Sequence, residues 1–150
     1  HFGVVPDMIC FGKRTQVCGF SCGDRIDEVE TNVFHVPSRI NSTWGGNIVD
    51  MVRSKIFIEI IEEDRLVENA ARVGNYFLEK IQELGFENVR GRGLMIAFDL
   101  EDTEERDVIL KKLSEKVLAL PCGHKSIRFR PHLTFTEEDA DTAVYVFKSL

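Results

Sequence analysis

The chain has 150 residues, 43% hydrophobic and 29% charged, with a net charge of −6, proportions that exclude a disordered, fibrous or membrane-spanning class. Its length allows one domain with a sizeable core. Excess acid is the wrong sign for a partner with a phosphate backbone, and no apolar run approaches spanning length, so neither nucleic acid nor membrane is expected as a partner. Cys10, Cys18, Cys22 and Cys122 never form a CxxC pair and the histidines are scattered. These features predict a reducing, cytoplasmic setting and no metal site. The opening "HFGVVPD" has neither an initiator Met nor a signal-peptide layout, and so reads as the start of a fragment.

In chain order, "MICF" at 8–11 reads as a short buried strand after Pro6 and Asp7, ending in Gly12 and Lys13. Residues 24–45 are mixed, with Pro37 and the run "NSTWGGN" marking an irregular loop. From Gly46 the spacing of Ile48, Met51, Val52, Ile56 and Ile60 predicts a helix reaching the acidic "EED" at 62–64. A second helix follows from Leu66, Ala70, Val73, Phe77, Ile81 and Leu84, with Gly85 placed as a left-handed cap.

"LMIAFDL" at 94–100 is strand-like after the glycine-punctuated "RGRG". Thr103 is expected to cap a helix running to about Val117. "VLALP" and "SIRFRPHLTF" read as two further strands, the second alternating Ile127, Phe129 and Pro131 with Ser126, Arg128 and Arg130. A last helix is expected from Thr136, whose acidic first turn suits the helix dipole. The layout is α/β or α+β.

Three places could carry chemistry. A Lys-Arg pair closing an apolar run, Lys13 and Arg14, reads either as a solvated strand end or as an amine poised beside a carbonyl ligand. In the second case Gly12 would allow a cofactor ring to approach the backbone. The "NSTWGGN" run reads either as a helix-capping loop or as an anion nest of hydroxyls and backbone donors. Arg128 reads either as a charged strand edge or as a planar, bidentate grip for a carboxylate.

The spacing "DMICFGKRTQVC", the "STWGGN" turn and the "SIRFRPHLTF" segment, in that order, resemble the class III aminotransferases, pyridoxal-phosphate enzymes of fold type I. The resemblance implies an α/β fold made of the end of the large cofactor domain (1–45), a linking helix (46–63) and the small C-terminal domain (64–150). It implies that Lys13 bears pyridoxal 5′-phosphate and that Thr43 and Ser42 bind its phosphate, Thr43 reaching the partner subunit's cofactor across a homodimer interface. Arg128 and Asn41 then serve the substrate, and "RGRGLM" is a structural entry into a small-domain strand.

The family's other catalytic groups lie N-terminal to such a lysine. The fuller matches "FGKRTQVCGF", "VPSRINSTWGGN" and "IRFRPHLT" resemble family members that move the terminal amino group of lysine to 2-oxoglutarate. A sister specificity for ornithine or 4-aminobutyrate, and a non-catalytic orphan domain, are the alternatives.

Overall fold

Pro6 and Asp7 lead into β1 (Met8–Phe11), which pairs antiparallel with β2 (Gly19–Cys22), Phe11 opposite Gly19 and Met8 opposite Cys22. The computed structural model describes residues 2–40 and 42–149. They form two compact units, one ending at Ile60 and the other beginning at Ile61.

In the first unit, the two strands are joined through a short 3-10 turn, Lys13–Thr15. A second such turn, Asp24–Glu28, leads into a loop organised by the buried Asn32. The Asn32 Oδ1 accepts from the Phe34 and His35 amides at 2.9 and 3.3 Å, and its Nδ2 donates to the Ile26 carbonyl at 3.1 Å. Helix α1 (Ile48–Glu63) follows, its first turn closed by Asn47 Oδ1, which accepts from the Val49 amide at 3.0 Å. Arg53 on α1 donates to Gln16 Oε1 at 3.4 Å and so ties the helix to the turn after β1.

Two expectations need correction here. The strand at 8–11 forms, but Met8, Ile9, Cys10 and Phe11 are all exposed rather than buried, because no helix packs on the two-stranded sheet among the described residues. The predicted stripe on α1 also fails to mark a buried face. Ile48, Met51, Val52, Ile56 and Ile60 are exposed, as are Val49, Phe57 and Ile58 between them, and Ser54 is the buried residue. A helix apolar on every side has no face that its periodicity can single out.

In the second unit, α2 (Leu66–Gln82) buries Leu66, Val73, Phe77 and Ile81, the spacing expected, and Gly85 follows with φ +79°. The sheet then runs β3 (Glu87–Arg92), β4 (Met95–Asp99), helix α3 (Thr103–Leu113), β5 (Leu120–Cys122) and β6 (Ser126–Phe129), before α4 (Glu137–Lys148). Its strand order is β3-β4-β6-β5, and every neighbouring pair is antiparallel. Ile96 and Phe98 on β4 and Ile127 and Phe129 on β6 turn one face toward α2, α3 and α4. There Phe98, Phe129 and Phe147 meet with ring centroids 5.6 to 6.2 Å apart, distances suited to edge-on aromatic packing.

Several boundaries differ from expectation. The "RGRG" stretch is not a lead-in to a strand: Arg90, Gly91 and Arg92 are the second half of β3, and the Gly93 turn links it to β4. Helix α3 is capped by Asp102, which accepts from the Glu105 amide at 2.8 Å, while the Thr103 hydroxyl donates to the His124 carbonyl. It ends at Leu113, four residues early. The strand expected over "VLALP" is confined to Leu120–Cys122, and β6 stops at Phe129, short of Pro131, which has no N–H to continue a ladder. Thr136 does cap α4 as expected, in a reciprocal box with Asp139.

Helix α2 lies directly on the β3–β4 turn. A Cβ at Gly74 would stand 2.2 Å from the Gly93 carbonyl carbon, so the contact admits no side chain there.

Candidate functional site

Lys13, two residues past β1, opens the 3-10 turn in the left-handed conformation, φ 55°, and Gln16 closes the same turn at φ 65°. Such angles are costly for residues with a Cβ and persist where the surroundings fix them. Here the Gln16 amide donates to the Lys13 carbonyl at 2.9 Å, the Thr15 hydroxyl to the Val17 carbonyl at 2.7 Å, and Arg53 holds the Gln16 side chain. The Lys13 side chain is exposed and has no hydrogen-bond or ionic partner among the described residues. What approaches Gly12 in the structure is the Cys18 sulfur, 3.1 Å from where a Cβ would stand.

Ser42 and Thr43 open the turn before α1. The Gly45 amide donates to the Ser42 carbonyl at 3.0 Å, and Gly46 takes φ +73°. Both hydroxyls are exposed and without a partner among the described residues. Helix α1 starts five residues after Thr43, and its first turn is closed by Asn47, which takes the Val49 amide. Asn41, the other substrate-side candidate, lies outside the described residues.

Arg128 sits on β6 on the sheet face turned away from the core, half-buried. It lies opposite Ala97 of β4 on one side and Leu120 of β5 on the other. Its Nε is buried with no hydrogen-bond partner among the described residues. One row away, Asp99 is surrounded by donors. Its Oδ1 accepts from Arg90 Nη1 at 2.9 Å and from the Ser126 hydroxyl at 2.5 Å, and its Oδ2 accepts from Asn88 Nδ2 at 2.9 Å. Arg90 Nη2 also donates to Ser126 Oγ at 3.1 Å. The Ser126 hydroxyl foremost, then the Asn88 amide, and the Arg90 guanidinium after them hold the Asp99 carboxyl down from 3.8 to about 2, against the opposing effect of burial.

Lys13, Ser42 and Thr43 thus stand on two loops of the first unit, and Arg128 on the open sheet face of the second. A groove of about 390 Å³ in the second unit is lined by Phe77, Val117, Phe129, Arg130, His132 and Phe135, among others, and by none of these candidates. The Asp99 cluster was not expected from sequence. Its one local signal is an aspartate inside the apolar run "LMIAFDL", while the partners come from cross-strand register. No helix among the described residues is long and apolar enough to cross a membrane.

The family profile described as aminotransferase class-III matches residues 1–150. The L-lysine-epsilon aminotransferase of Amycolatopsis lactamdurans is 49% identical over 149 residues, covering 94% of this chain and 33% of that protein. The enzyme of the same name from Streptomyces clavuligerus is 46% identical, covering 99% of this chain and 34% of that protein. Among solved structures, the lysine aminotransferase from M. tuberculosis in the internal aldimine form superposes with a TM-score of 0.91 at 45% identity, covering 98% of this chain and 35% of that one. The chain spans about a third of the length of these relatives.

Proposed function

Since the chain belongs to the class III aminotransferase family, we propose that it serves a pyridoxal-phosphate-dependent transfer of the terminal amino group of lysine to 2-oxoglutarate, as part of a homodimer. The naming of its relatives supports the donor, and the four free cysteines suit a reducing, cytoplasmic setting.

The observation that carries this reading is Lys13, an amine without a partner among the described residues in the turn that follows β1, in a backbone conformation that costs energy and is fixed by its neighbours. The residues present suit the cofactor. Lys13 supplies an amine for its aldehyde carbon, and Ser42 and Thr43 offer unpartnered hydroxyls for its phosphate. When bound, pyridoxal phosphate supplies the electron sink that lets the carbon bearing the amino group lose a proton.

The chain's own residues do the rest. Lys13 Nζ would hold the cofactor's aldehyde carbon and would serve as the general base and acid for the proton on the carbon bearing the amino group. Thr43 and Ser42, beside the start of α1, anchor the phosphate, with Thr43 serving the partner subunit's cofactor. Arg128, whose buried Nε has no acceptor among the described residues, pairs with a substrate carboxylate in bidentate fashion. Asn41 is assigned to the substrate side by the family resemblance alone.

The test is borohydride reduction of the full-length protein followed by peptide mass spectrometry. The cofactor mass should fall on the Lys13 peptide and vanish in Lys13→Ala. Glutamate formation from 2-oxoglutarate should be faster with lysine than with ornithine or 4-aminobutyrate. A cofactor adduct on another residue would remove Lys13 from this role, and a preference for another donor would overturn the lysine assignment.

A further inference from the structure

Two arginines stand on the open face of the four-stranded sheet in one row. Arg90 on β3 is opposite Ala97 on β4, and Ala97 is opposite Arg128 on β6. Asp99, two residues along β4 from Ala97, projects from the same face, opposite Ser126. It is therefore a diagonal neighbour of both guanidiniums, and diagonal neighbours across antiparallel strands are within reach of long side chains.

A lone carboxylate between two arginines could pair with either, yet the structure gives it wholly to one. Arg90 holds Asp99 directly at 2.9 Å and again through Ser126, while Asn88 takes its second oxygen. Asn88 reaches it because the β3–β4 register slips between Glu87 and Arg90, where Asn88 turns left-handed at φ 48°. Arg128 is left with a buried Nε that has no partner among the described residues, diagonal to a carboxylate that is already engaged. Buried donors are normally paired, so an unpaired one calls for an explanation.

We propose that Arg90 is a positioning residue. By occupying Asp99, with Ser126 and Asn88, it keeps the Arg128 guanidinium free of Asp99 for the incoming substrate carboxylate. This rests on the assignment of Arg128 made above. Without Arg90, Asp99 turns to Arg128 and competes with the substrate. Carboxylate binding weakens while the chemical step, which Arg90 does not touch, is unchanged. Neutralising Asp99 in the same protein removes the competitor.

The experiment uses the full-length holoenzyme as Arg90→Met, Asp99→Asn, the double variant and Arg128→Ala. Glutarate, a dicarboxylate that cannot accept an amino group, is titrated by calorimetry, with 2-oxoglutarate kinetics and Tm alongside. Arg90→Met should raise the glutarate Kd and the 2-oxoglutarate KM by about tenfold or more with kcat unchanged. The double variant should recover wild-type affinity, and Asp99→Asn alone should bind glutarate as well as wild type or better.

A double variant as weak as Arg90→Met, or an Arg90→Met protein that loses Tm and kcat at unchanged Kd, would overturn the proposal and make Arg90 structural. If Arg90→Met cannot be purified, Asp99→Asn decides, since a loss of glutarate affinity there refutes competition by Asp99. Arg128→Ala separates the two levels. Unchanged glutarate affinity in that variant removes Arg128 from the site, whereas weakened affinity with neutral Arg90 and Asp99 variants defeats only the present inference.

Discussion

The two units use apolar residues in opposite ways. From Ile61 onward, Phe77, Ile81, Ile96, Phe98, Leu113 and Ile127 are wholly buried against one another, and the sheet's polar residues collect on its other face. Up to Ile60, the buried residues among those described are Asn32 and Ser54, both polar, while Met8, Ile9, Trp44, Ile48, Met51 and Phe57 are exposed. The second unit is held by its core. The first is held by backbone pairing and by side-chain bonds such as those of Asn32 and Arg53. Equal hydrophobicity in two stretches of sequence therefore carries no equal stability, because only area removed from water contributes.

Truncation should expose that contrast most strongly. Phe98→Ala deletes a fully buried ring at the centre of the aromatic cluster and should cost about 3–5 kcal/mol, whereas Phe57→Ala, on the exposed α1, should stay within about 0.5 kcal/mol. Chemical denaturation of the chain would measure both. A comparable loss at Phe57 would mean that the first unit has a core of its own.

The next contrast is in pH. Folding lowers the Asp99 pKa, so its contribution is whole above the unfolded value of 3.8 and is lost as pH falls toward about 2. Stability should decline across that window, and the decline should be shallower in Asp99→Asn by on the order of 2 kcal/mol. Identical acid profiles for the two proteins would show that the cluster does not hold Asp99 ionised.

The smallest contrast compares two threonines. Thr136 caps α4 through a reciprocal box with Asp139, and Thr136→Ala should cost about 1 kcal/mol. Thr43 is exposed and without a partner among the described residues, so Thr43→Ala should leave stability within about 0.5 kcal/mol. Thermal melts of both variants would rank them, and a reversal would place Thr43 in the fold rather than in a binding role.

What the sequence revealed follows the same division. Helix α2 was legible because its apolar residues recur on one side and Gly85 marks its end, and α4 because Thr136 stands before an acidic first turn. Strand β3 was not, because "ENVRGR" carries charges and glycine where a buried strand would alternate, and the strand is held by pairing with β4. At α3, Asp102 and Thr103 are adjacent and equally eligible caps, and only backbone geometry chooses between them. Helix α1 showed its existence but no face. Lys13, Thr43 and Arg128 were legible as motif positions, whereas the Arg90, Asp99 and Ser126 cluster depends on the register of three strands, which no local pattern records.

The contact between Gly74 and Gly93 has a mechanical consequence. Where side chains separate a helix from a sheet, a small displacement can be absorbed by rotamer changes, but here backbone meets backbone and nothing soft lies between. The hairpin that carries Arg90 cannot slide without carrying α2 with it. The helix thus acts as a brace, and the spacing between Arg90 and Arg128 on the open face is kept by the stiffness of the unit behind it.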